Sequence, residues 1–108
     1  LFNSLDAVAT PDGTWATYGT CSDLGLTSVW KLNLAYCESG CQAMENWKVS
    51  VVDSVSDTDC NGEQYGGLSI AHGYDGSAEP RLFIGYFDAE PTLEYKLFHG
   101  GYIDKFTF

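Results

Sequence analysis

"SVWKLNLAY", residues 28 to 36, decides the fold class. Val29, Lys31 and Asn33 interleave with Trp30, Leu32 and Leu34, the period-two pattern of a strand with one buried face. Runs of the same kind recur along the chain. "TWATYGT" (14–20), "WKVSVVDSV" (47–55), "GLSIAHGY" (67–74), "RLFIGYF" (81–87), "EYKLFHG" (94–100) and "YIDKFTF" (102–108) are rich in β-branched and aromatic residues. Between the runs stand "TPDG", "ESG", "CNGE", "YDGSAEP" and "DAEP", clusters of the residues that turns require. About seven short strands at this spacing predict an all-β chain, an antiparallel β-sandwich or a small β-barrel. Only "ESGCQAMEN" (38–46) has room for a helix, and a short one.

At 108 residues the chain reads as one domain, 1–108, large enough to build a core without a cofactor. Hydrophobic residues at 44% and aromatics at 15% exclude a disordered chain. No apolar run approaches the ~20 residues of a membrane span, so no membrane insertion is expected. The chain starts at Leu1 without Met or a basic-then-apolar leader, which reads as a mature chain whose signal peptide has been removed. Fifteen acidic residues against five basic ones give a net charge of -10. Such a surface repels polyanions, which excludes nucleic acid and anionic membranes as partners.

Four cysteines, Cys21, Cys37, Cys41 and Cys60, predict two disulfides and an oxidising compartment. A zinc site would need two close ligand pairs, and only Cys37 and Cys41 are close. Three connectivities are open. Cys37 with Cys41 and Cys21 with Cys60 is preferred, because Gly40 in "CESGC" permits a tight reversal.

"DTDCNGE" (57–63) resembles the first half of a calcium loop, with Asp57, Asp59 and Asn61 alternating before Gly62. An EF-hand loop needs a bidentate Glu at its twelfth position, and Leu68 stands there. A looser site from Asp57, Asp59, Asn61 and Glu63 is the alternative to a plain polar turn, and the turn is the preferred reading. Elements of catalysis are sparse. The sequence contains no G-x-S-x-G elbow, no phosphate-cradling Gly loop and no H-E-x-x-H. Ser69 and His72, three apart on a strand, leave opposite faces and make no dyad. The order His72, Glu79, Arg81, His99 resembles that of the small acidic fungal ribonucleases, which implies a carboxylate and a His as base and acid, with Arg on the phosphate. That resemblance covers residue order only and ranks third among the readings of function.

The aromatics weigh more. Three Trp, seven Tyr and six Phe suffice for a core and a surface platform. Trp30 and most of the phenylalanines are expected inside. Trp15, Tyr18, Tyr65 and Tyr74 lie close to turns and are the expected surface group, placed to stack on sugars. "RLFIGYFD" (81–88) and "KLFHGGYID" (96–104) align, which predicts two neighbouring strands in the same structural role, the added Gly making a β-bulge. Phe106 and Phe108, on an apolar terminal strand, predict either burial or a homodimer contact.

Taken together, "TCSD", "YCESGC" and "DTDC" on an acidic, Gly- and Tyr-rich β pattern resemble the small secreted cysteine-rich proteins of filamentous fungi. The group includes effectors and elicitors that plant hosts perceive. The resemblance implies a secreted, non-enzymatic protein without a cofactor, acting on a host surface protein or a cell-wall polysaccharide. A carbohydrate-binding module working through exposed Trp and Tyr is the alternative.

Overall fold

A computed structural model describes residues 2–57, 60, 65–74, 76, 81–88, 94–99 and 102–107. Its strands, in chain order, are β1 (Phe2–Thr10), β2 (Gly13–Asp23), β3 (Ser28–Cys37), β4 (Trp47–Asp57), β5 (Tyr65–Gly73), β6 (Arg81–Asp88), β7 (Glu94–His99) and β8 (Tyr102–Thr107). They form two four-stranded antiparallel sheets, ordered β1-β2-β3-β4 and β5-β6-β7-β8. Each sheet is a meander in which every strand pairs with its neighbour in sequence. A single 3-10 turn at Met44–Asn46 takes the place of the short helix expected in 38–46. Among the described residues no helix is long and apolar enough to cross a membrane.

The sheets share one core, in which Trp30, Leu32 and Leu34 of β3 meet Tyr65, Ile70, Ile84 and Tyr86 of the second sheet. This is the alternation of residues 28–36 made physical. At the joint between the sheets Ile70 N donates to Asp6 Oδ2 at 2.9 Å, which places a β1 carboxylate on the edge of β5. The disulfides are Cys21–Cys60 and Cys37–Cys41. The first ties β2 to the connection between the two sheets; the second closes the start of the β3–β4 loop.

β4 changes phase midway. Leu32 pairs with Asp53 but Asn33 pairs with Val51, which leaves Val52 as an extra residue. Before this bulge Val49 and Val51 face outward at 55% and 53% exposure, and after it Asp53 and Val55 face the core. Asp53 thereby enters a buried polar cluster. Lys96 Nζ donates to Asp88 Oδ2 at 2.7 Å and to Asp53 Oδ2 at 3.1 Å, and Tyr86 OH donates to Asp53 Oδ2 at 2.8 Å. Burial on its own would lower the Lys96 ammonium pKa, but the hydrogen bonds and charges of Asp88 and Asp53 outweigh it and hold the group above its ordinary 10.5. Burial foremost, then the neighbouring carboxylates, raises the phenols of Tyr65 and Tyr86 far above their ordinary 10.0.

All three groups keep their protons to higher pH when folded than when unfolded. Above pH 10.0 the unfolded chain releases protons that the folded chain retains, so stability falls as pH rises. The urea midpoint is therefore expected to be unaffected by these groups below pH 10.0 and to drop above it. Two of the seven tyrosines should develop phenolate absorbance only together with unfolding. Ionisation of all seven before the fold is lost would show this core to be open to water.

Several expectations need correction. β1 is an eighth strand that the apolar pattern did not mark. The large buried side chains are Trp30, Tyr65 and Tyr86 rather than phenylalanines. Phe83 and Phe87 fall on outward positions of β6, and Phe87 and Phe106 are exposed at 37% and 51%. The repeat of 81–88 in 96–104 is not strand for strand. Its first copy is β6, whereas its second runs from β7 into β8. Gly100 and Gly101, where the bulge was expected, and Phe108 lie outside the described residues.

Candidate functional site

The reversal from β1 to β2 builds one wall of a cleft. Thr10 pairs with Gly13, so Pro11 and Asp12 alone make the turn. Thr10 Oγ1 donates to Gly13 O at 3.0 Å and accepts from Asp12 N at 3.3 Å. Gly13 has φ of 150°, and a Cβ there would stand 2.5 Å from Cys37 O and 2.8 Å from Tyr36 Cε1. Glycine thus lets the turn close against the end of β3.

Trp15, two residues on, pairs with Tyr36, and their rings lie 4.3 Å apart between centroids at 37°. Tyr36 OH donates to the Asp12 carbonyl. Burial foremost, then the charges of Glu38 and Asp12, push the Tyr36 phenol above its ordinary value. Pro11, Asp12, Trp15, Tyr36, Glu38 and Ser39 line an open cleft of about 770 Å³. It adjoins a hollow of about 230 Å³ that adds Glu45, Asn46 and Lys48. The β3–β4 loop behind it is fixed by the Cys37–Cys41 disulfide, by Asn46 Nδ2 donating to Gly40 O at 2.9 Å, and by Trp47 Nε1 donating to Cys41 O at 2.9 Å. The result is an aromatic pair edged by carboxylates, an amide and one ammonium.

The four aromatic residues expected to form a surface group do not converge. Trp15 belongs to this cleft. Tyr18 leaves the other face of β2 and lines an apolar groove of about 330 Å³ with Leu5, Ala16, Ala35, Met44, Trp47 and Val49. Tyr74, 70% exposed, follows β5 in the other sheet. Tyr65 is not at the surface at all. It opens β5 facing the opposing sheet, is fully buried, and meets Tyr86 edge-on at 5.7 Å. Tyr36, the true neighbour of Trp15, escaped the sequence reading because only the β2–β3 register brings the two together. A second aromatic row, Phe87, Tyr95 and Phe106, crosses the outer face of β6, β7 and β8, where Gly85 leaves room for the Tyr95 ring.

The ribonuclease arrangement does not assemble around the two histidines. His72 pairs with Leu82, whereas His99 pairs with Phe83, so the two leave opposite faces of one sheet. His99 stacks on Phe83 and sits 2.6 Å from Asp104. Glu79 lies outside the described residues, and Arg81 begins β6. Of the calcium candidates, Asp57 closes β4, while Asp59, Asn61 and Glu63 are outside the described residues. Among the described residues no group of three or more His, Cys, Asp or Glu side chains is placed to hold a metal ion. Comparison with protein-family models, curated proteins and solved structures finds no match to this chain.

Proposed function

We propose that the chain is a secreted, non-enzymatic recognition protein, of the small cysteine-rich type that filamentous fungi present to plant hosts, and that it binds a neutral cell-wall polysaccharide. The observation that carries this reading is the Trp15–Tyr36 pair, 4.3 Å apart, opening onto the polar cleft. Pyranose rings offer apolar faces that stack on Trp and Tyr, while carboxylates and amides accept and donate at their hydroxyls. Asp12, Glu38 and Glu45 make the rim negative, which favours a neutral glucan or chitin over an anionic pectin. Two disulfides suit an oxidising space outside the cell. The separation of His72 and His99 weighs against the ribonuclease arrangement.

Sedimentation with insoluble chitin, β-1,3-glucan and cellulose tests it. One polymer is expected to deplete the protein from solution, with polygalacturonate failing to compete. Tyr36→Ala and Trp15→Ala should each weaken binding at least tenfold, about 1.4 kcal/mol, while a thermal melt shows the variants folded. Absence of depletion by every polymer removes the polysaccharide reading. The apolar groove around Tyr18 and Met44 then favours a second one, a host surface protein docking on the outer face of the first sheet.

A further inference from the structure

We propose that Lys96 and Asp88 condense into an intramolecular amide that cross-links β7 to β6, with Asp53 of the facing sheet carrying the proton. The reacting groups already touch. Lys96 Nζ is 2.7 Å from Asp88 Oδ2 and 3.1 Å from Asp53 Oδ2, so to attack it must move from Oδ2 to a position over Cγ of the same carboxyl group. Tyr86 pairs with Lys96 and Asp88 with Glu94, so Lys96 and Asp88 are diagonal neighbours on one face of adjacent strands. Their side chains are 9% and 3% exposed, inside the core that Trp30, Tyr65 and Tyr86 share. Bulk water is largely kept from the site, and hydrolysis of an amide formed there is opposed.

The chemistry balances without a helper. Proton transfer along the short hydrogen bond, an uphill step because Asp88 and Asp53 favour the ammonium, turns ammonium and carboxylate into an amine facing a carboxylic acid. The Nζ lone pair attacks Asp88 Cγ. Asp53, oriented by the Tyr86 hydroxyl at 2.8 Å, takes a proton from the attacking nitrogen and returns it to the departing oxygen. A C–N bond forms, a C–O bond breaks and one water leaves; nothing is oxidised or reduced. The Tyr65 hydroxyl is buried and has no hydrogen-bond partner among the described residues, and the charges of Asp53 and Asp88 both act on it. The ion pair is the resting state, so the condensation is a slow, single event that follows folding.

Intact mass of the purified protein, reduced and denatured after prolonged incubation in the folded state, tests this. The expected mass is one water below that of the sequence, and fragmentation should place the link between Lys96 and Asp88. Lys96→Arg and Asp88→Ala should each restore the full mass. Asp53→Ala, with both reacting groups intact, should slow the loss of water roughly 100-fold. Wild-type protein that stays at full mass overturns the proposal, whatever the folding of the variants. A link from Lys96 to Asp53 overturns the choice of acceptor.

Discussion

Replacing Lys96 by Met is expected to destabilise the chain by roughly 3–5 kcal/mol relative to wild type in its ion-paired, uncondensed form, because it removes the cation that two carboxylates share inside the sandwich. Asp88 is 3% and Asp53 16% exposed at the side chain, so neither regains full hydration when its cation is gone. Much of the effect is a penalty on what remains and does not measure an attraction. Adding Asp53→Asn and Asp88→Asn to the same variant should therefore recover most of the loss, since neutral amides bury far more cheaply than charges. Urea denaturation of the single and triple variants separates the two contributions. A single variant within about 1 kcal/mol of wild type would mean that water reaches the cluster, as it does in exposed pairs.

The two disulfides are expected to differ in worth, with Cys21–Cys60 the larger. It closes a loop with a sequence separation of 39, against 4 for Cys37–Cys41. In the chain-entropy account these loops correspond to about 4 and about 2 kcal/mol of lost denatured-state freedom. Replacing both cysteines of each pair by Ala, one pair at a time, should give urea midpoints in that order. Loss of the short disulfide should also loosen the wall of the cleft. Tyr36 binding would then weaken in a variant that stays folded, whereas loss of the long disulfide would act on stability first. Equal costs for the two pairs would show that strain or local packing outweighs loop length.

Seven strands were legible because their inward positions are apolar. β1 was not, because its inward face carries a carboxylate. In "NSLDAVAT" the inward residues include Asp6 and Val8, and Asp6 serves the Ile70 N–H instead of filling space. The doublet Val51-Val52 breaks the alternation of β4 and marks where the strand changes face, yet the pattern alone does not say that a carboxylate turns inward there. Trp15 was recognisable as an aromatic residue near a turn; Tyr36 was hidden, since its partner is set by pairing across strands. Tyr65 misled for a related reason. The glycines beside it look like a turn, but Gly66 and Gly67 lie within β5, and the ring of Tyr65 points across to the other sheet.

Among the described residues no strand crosses from one sheet to the other, so the chain passes from the first sheet to the second after β4. A protease that cuts this connection on the N-terminal side of Cys60 would leave two fragments still joined through Cys21. The same enzyme cutting just beyond Cys60 would leave the halves associated only by their shared interior. One peptide bond's position thus decides whether a nicked molecule remains a single covalent object.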